Sequence, residues 1–160
     1  MITGQVAATK NALHFISKSD IPDSVDLLTE EDEWSSWKKM GDPVLHIELR
    51  RWAHVLLIAP CDANTVAKIS NGICDNLVTC VVRAWDMKKP LVFCPAMNTA
   101  MWNHPLTAVQ LDKLRGFGYK QLGPISKPLA CGDKGIGAMS EVEKIFELIR
   151  NHLEIMHLCL

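Results

Sequence analysis

Val55-Leu56-Leu57-Ile58-Ala59, closed by Pro60, is the stretch on which the fold turns. Five apolar residues in a row leave no polar face. A run of that length suits a strand buried on both sides, as in a parallel sheet. Pro90-Leu91-Val92-Phe93-Cys94, closed by Pro95, repeats the pattern. The two runs are expected to be adjacent, parallel, central strands. Working outward, Gly4 to Ala8, Val25 to Leu28 and Tyr119 to Leu122 are weaker strand candidates.

Helical spacing fills the intervals. Val142, Ile145, Phe146, Ile149, Leu153 and Met156 recur as on one face of an amphipathic C-terminal helix. Thr107 to Phe117 carries the same pattern through Val109, Leu111 and Leu114, with Gly116 and Gly118 to end it. Thr65 to Trp85 is a longer helical stretch that Asn71-Gly72 interrupts. Strands alternating with helices predict an α/β chain with a doubly wound, Rossmann-like, mostly parallel sheet. At 160 residues it is expected to be a single domain, 1–160.

Such folds usually open with a strand, a Gly-rich turn and a helix that together hold a phosphate. Here a strand-like segment begins almost at once. Ile2-Thr3-Gly4-Gln5-Val6-Ala7-Ala8 is either a remnant of that turn or already the second strand. The first strand and helix are therefore expected to be absent.

Composition narrows the function classes. The chain is 48% hydrophobic and 22% charged, with a formal net charge of -1, which gives no electrostatic argument for nucleic acid or an anionic membrane. No apolar run is long enough to span a bilayer. The six cysteines form no CxxC pair and no zinc-type cluster, so no metal is expected. Several sit in apolar runs, where a free thiol acts as a small hydrophobe. A reduced, cytoplasmic protein is the expectation.

In an open α/β sheet, ligands bind beyond the carboxyl ends of the strands. Pro60-Cys61-Asp62-Ala63-Asn64-Thr65 follows the first strong strand, with Asp62, Asn64 and Thr65 as polar candidates. An ordinary helix N-cap would use the same residue types. Pro95-Ala96-Met97-Asn98-Thr99-Ala100-Met101-Trp102 follows the second, an apolar loop with Asn98 as its polar handle. A packed loop whose Asn satisfies the backbone would look alike. Leu129 to Met139 is glycine-rich and reads as a mobile lid rooted at Cys131, or as a flexible turn with an idle thiol. His46, in Asp42-Pro43-Val44-Leu45-His46-Ile47, lies on an apolar helix face and would need a partner to act as a base.

Taken together, these segments resemble the homo-oligomeric flavin-containing cysteine decarboxylases, in their coenzyme A branch. Pro95 to Trp102 is similar to the family's substrate motif, Asp42 to Ile47 to its histidine segment, and Asp62-Ala63-Asn64-Thr65 to its flavin loop. Ala130-Cys131-Gly132-Asp133 resembles its lid cysteine. Asp32-Glu33-Trp34, Gly72 to Leu77 and Arg83-Ala84-Trp85 extend the similarity over roughly Val6 to Arg150. The resemblance implies a flavodoxin-like fold, bound FMN and a homotrimer. It implies conversion of 4'-phosphopantothenoylcysteine to 4'-phosphopantetheine and CO2. It implies His46, Asn98 and Cys131 as catalytic residues. Thr9, Asn11, Phe15, Asp62, Ala63, Asn64, Thr65, Ala96 and Met97 would contact the flavin. Asn98, Met101, Lys127 and Ala130 would contact substrate. Pro128 departs from the lysine that relatives often carry there; either Thr3-Gly4-Gln5-Val6 is their phosphate turn, with Gln5 where they have serine, or that unit is absent. With a degenerate phosphate turn, the alternative is a weak or inactive homologue serving as a binding or regulatory subunit.

Overall fold

The computed structural model describes residues 3–128, 132 and 134–158. In chain order the elements are β1 (Val6–Ala7), β2 (Leu27–Leu28), α1 (Glu30–Ser36), α2 (Leu45–Trp52), β3 (Leu56–Cys61), α3 (Ala63–Asn71), α4 (Leu77–Arg83), β4 (Leu91–Pro95), α5 (Thr99–Trp102), α6 (Pro105–Gly116), β5 (Lys120–Gln121), β6 (Ile125–Pro128), β7 (Lys134–Ala138) and α7 (Val142–Leu158). They fall into two compact units, 1–52 with 73–85, and 53–72 with 86–160.

In the first unit, β1 and β2 pair in parallel, Val6 opposite Leu27. Two short 3-10 turns, Ala12–His14 and Lys18–Asp20, lie between them. Helix α1 starts at a capping box, in which the Asp32 carboxylate accepts from the Thr29 N–H at 2.7 Å and from its hydroxyl at 2.8 Å. Helix α4 starts at a second box, between Asn76 and Thr79. The Arg50 guanidinium of α2 donates to the Ala84 carbonyl at the end of α4, 2.7 Å away.

In the second unit, β3, β4 and β5 form a parallel sheet in that order. Gly72, left-handed at φ 72°, closes α3, as the Asn71-Gly72 break predicts. Every residue of β4 is buried, and Val92, Phe93 and Cys94 show 0% exposure. The adjacent, parallel pairing of the two strong runs is as expected.

Three expectations change. Strand β3 is not buried on both faces: Leu57 is 38% exposed and Ala59 is exposed. The reason is position, since β3 is the edge strand of its sheet and only β4 pairs with it among the described residues. Nor does Pro60 end the strand. β3 runs on to Cys61 through an irregularity in register after Ile58, where the missing proline N–H disrupts no regular ladder. Finally, Lys134–Ala138 of the glycine-rich segment forms the second strand of an antiparallel pair, β6 with β7, outside the parallel sheets. Glycine backbone pairs as any other does, and Gly135 lies opposite Lys127 in the register.

Burial leaves an electrostatic mark on the core thiols. It pushes the Cys94 thiol up to about 11 from an ordinary value near 9.0. The folded state thus holds this proton more tightly than the unfolded chain does. The stabilisation is complete below about pH 9 and is lost as pH rises toward 11, because the unfolded thiol ionises first. Denaturant unfolding followed across that range should show stability falling, and the fall should be shallower in Cys94→Ala.

Candidate functional site

The parallel pairing of β3 with β4, Cys61 opposite Pro95, sends the two polar loops out of the same end of the sheet. They are tied at the root, where the Ala96 N–H donates to the Cys61 carbonyl at 2.9 Å. Asp62 is the N-cap of α3, its carboxylate accepting from the Thr65 N–H at 2.8 Å. The N-cap reading of this residue holds, and at the α3 N-terminus Asp62 and Asn64 are exposed while Ala63 and Thr65 are half-buried. The first amides of the helix have no carbonyl within it to bind.

Asn98 caps the single turn α5 in the same way, accepting from the Met101 N–H at 2.8 Å. Its carbonyl oxygen is thereby used. Its NH2 group has no partner among the described residues and faces outward on an exposed side chain. Met101 beside it is 49% exposed. Strand β7 straps this loop from behind. The Met97 N–H donates to the Gly137 carbonyl at 2.9 Å, and the Thr99 hydroxyl to the Ile136 carbonyl at 3.1 Å. The approach is so close that a Cβ on Gly137 would sit 2.2 Å from the Met97 oxygen, and one on Gly135 2.4 Å from Thr99 Oγ1. Lys127, on β6, pairs with Glu141 at 3.8 Å. Cys131 and Ala130 lie outside the described residues.

In the first unit, Thr9 follows β1 and its hydroxyl accepts from the Ala12 N–H at 3.2 Å, capping a 3-10 turn. Asn11 is exposed at the start of that turn. Phe15 is 83% exposed, its ring edge-on to His14 at 5.1 Å. Like the loops of the second unit, these residues lie past the carboxyl end of a parallel strand.

His46 has the partner a base requires. Its Nδ1 is hydrogen-bonded to the Glu33 carboxylate, with the two side chains 25% and 13% exposed. Cys80 joins them, and one donor atom from each of the three lies within 4.8 Å of the others. Burial, with the Glu33 charge adding to it, pushes the Cys80 thiol up to about 11, so it is protonated at neutral pH. Residues 33, 46 and 80 come from α1, α2 and α4, and no short motif announces their meeting.

Parallel strands with polar, helix-capped loops at their carboxyl ends define a nucleotide- or flavin-binding class of α/β protein. The chain belongs to the Flavoprotein family, whose sequence profile matches residues 2–154, spanning both units. It is 60% identical over 140 residues to the phosphopantothenoylcysteine decarboxylase of Mus musculus, an alignment covering 88% of this chain and 68% of that protein. Two solved structures are similar. One is a cysteine-to-serine variant of PPC decarboxylase complexed with pantothenoylaminoethenethiol, at TM-score 0.91 and 55% identity, covering 94% of this chain and 82% of the other. The second is the FMN-binding protein AtHal3, at TM-score 0.87 and 56% identity, covering 94% and 81%. No helix among the described residues is long and apolar enough to cross a membrane.

The residues present fit a flavin. An isoalloxazine has apolar faces and a polar rim of carbonyl and N–H groups. Ala63, Ala96 and Met97 supply small or apolar surface. Asn64, Thr65 and the free amides of the α3 start supply both donors and acceptors.

Proposed function

We propose that this chain is an FMN-dependent carboxy-lyase that converts 4'-phosphopantothenoylcysteine to 4'-phosphopantetheine and CO2, a step of coenzyme A synthesis. One observation carries the reading above the others. At 55% identity the fold follows that of a decarboxylase holding pantothenoylaminoethenethiol, a decarboxylated cysteine derivative that has not been reduced. FMN held by these residues would supply a reversible two-electron acceptor for the cysteine moiety.

The family resemblance and the chemistry of the side chains support the following roles for this chain's residues. Asp62, Ala63, Asn64, Thr65, Ala96 and Met97 bind the flavin ring, and Thr9, Asn11 and Phe15 are further flavin contacts. His46 takes the substrate proton in the oxidative half. Asn98, whose oxygen is held by its own helix, turns its NH2 toward the substrate carboxylate and amide. Met101, Lys127 and Ala130 complete the substrate site. Cys131 delivers the proton in the reductive half, a task for a thiol that keeps its proton at neutral pH. The two units act as one flavoprotein domain, assembled as a homotrimer in the cytoplasm.

The test is direct. The purified chain should show flavin absorption and should release CO2 from 4'-phosphopantothenoylcysteine, with 4'-phosphopantetheine as the product by mass spectrometry. Cys131→Ser should release CO2 yet stop at the unreduced aminoethenethiol, since a serine hydroxyl is too weak an acid for the last proton. Ordinary phosphopantetheine formation by Cys131→Ser would remove Cys131 from its role. Absence of both flavin binding and CO2 release would remove the proposed activity.

A further inference from the structure

A carboxylate hydrogen-bonded to a catalytic imidazole does more than fill space. An ionised Glu33 can only accept a hydrogen bond. The bond from His46 Nδ1 therefore places the imidazole proton on Nδ1. In the neutral ring the lone pair then belongs to Nε2, which has no hydrogen-bond partner among the described residues. Glu33 is itself held for this task. It sits one turn into α1, behind the Thr29–Asp32 capping box, on the side of the helix that turns from solvent: its side chain is 13% exposed, whereas Trp34 beside it is 67% exposed. Glu30, on the same helix, adds a second and weaker negative charge toward Cys80. Cys80, the third member of the cluster, keeps its proton at neutral pH and so does not compete for the imidazole proton.

We propose that Glu33 is the positioning residue of the active site. It fixes His46 as the Nδ1–H tautomer, aims Nε2 at the substrate proton, and balances the imidazolium charge that forms when that proton arrives. The proposal rests on the reading of His46 as the base. An oriented imidazole with a carboxylate behind it has the logic of other carboxylate–histidine pairs, in which the carboxylate never touches the substrate. The proton moves from substrate to Nε2, the Nδ1 proton stays in place, and Glu33 remains ionised throughout.

Two measurements on the full chain separate this proposal from the reading beneath it. The first is nitrogen NMR of the 15N-histidine-labelled protein, with the His46 signals assigned by their loss in His46→Asn. Near neutral pH the neutral His46 ring should show a protonated Nδ1 and an unprotonated Nε2, and Glu33→Ala should mix the tautomers. A protonated Nε2 with a bare Nδ1 in the unaltered protein overturns the proposal, whatever the protein catalyses. The second is kinetics. Glu33→Ala should lower kcat about 100-fold with KM nearly unchanged, and Glu33→Asp should recover part of the loss. Glu33→Gln keeps the shape of the side chain but not its charge. It should unfold thermally as the unaltered protein does while staying slow, which excludes a merely structural role. Full kcat in Glu33→Gln overturns the charge-balancing role. If the unaltered protein releases no CO2, the proposed activity fails, and the tautomer measurement still decides what Glu33 does.

Discussion

His46→Asn should lower CO2 release by about 10²- to 10⁴-fold, the usual contribution of a positioned base, while FMN stays bound. Two features of the structure make this a clean experiment. The asparagine side chain can still hydrogen-bond Glu33, so α2 keeps its attachment to α1. The residues assigned to the flavin lie on the loops after β3 and β4 and, for Thr9, Asn11 and Phe15, after β1, and none of them is on α2, which carries His46. Flavin content by absorption and CO2 release by a coupled assay give the two readings. Unaltered CO2 release would show that the imidazole of His46 is not the base.

Gly137→Ala should damage the protein in two ways that can be measured apart. Gly137 has φ +143°, a conformation L residues rarely adopt, and its added Cβ would meet the Met97 carbonyl oxygen at 2.2 Å. Backbone strain and a clash against main chain together should cost roughly 3 kcal/mol. For a chain of this size that is a fall in Tm of about 6–12 °C. Relief of the clash requires β7 at Gly137 or the segment Met97–Asn98 to move, and the second of these displaces Asn98. A displacement of about 1 Å at a substrate-holding group costs on the order of 100-fold in rate. Gly118→Ala is the control. It carries similar strain at φ +89° but meets nothing within 4 Å, so it should lose some stability and little activity. Equal kcat in the two variants would show that the strap behind Met97 does not set the position of Asn98.

The sequence was most legible where a single physical demand fixed the residue types. The all-apolar β4 is buried throughout as its pattern predicts, whereas β3 shares that pattern but, as the edge strand of its sheet, exposes Leu57 and Ala59. The caps at Asp62 and Asn98 were legible for a related reason, since short polar side chains at a helix start satisfy its first amides. What those caps leave free for a ligand was not legible, because it depends on which atom of each side chain the cap uses. The β6–β7 pair was hidden by its composition. Lys134-Gly135-Ile136-Gly137-Ala138 has two glycines and the register of a strand without the β-branched, alternating pattern that advertises one. The Glu33–His46 pair was hidden by distance along the chain. Glu33 sits in an acid-rich stretch, Glu30-Glu31-Asp32-Glu33, that reads as a solvated helix start, and only the packing of α1 on α2 singles out one carboxylate from four.

The open side of β3 bears on how this protein behaves in a tube. Leu56-Leu57-Ile58-Ala59-Pro60-Cys61 carries no charge, and Leu57 already faces water. Natural edge strands are commonly defended by lysines, bulges or prolines, and here the defence rests on Pro60 and the irregular register beside it. Among the described residues only β4 pairs with β3, and an unpaired strand edge is a surface that another extended segment can extend by hydrogen bonding, including a partly unfolded copy of the same chain. Loss of soluble protein on warming should therefore follow concentration more steeply than the unfolding of an isolated molecule would, and a lysine at Leu57 should slow precipitation even where it does nothing for the melting temperature.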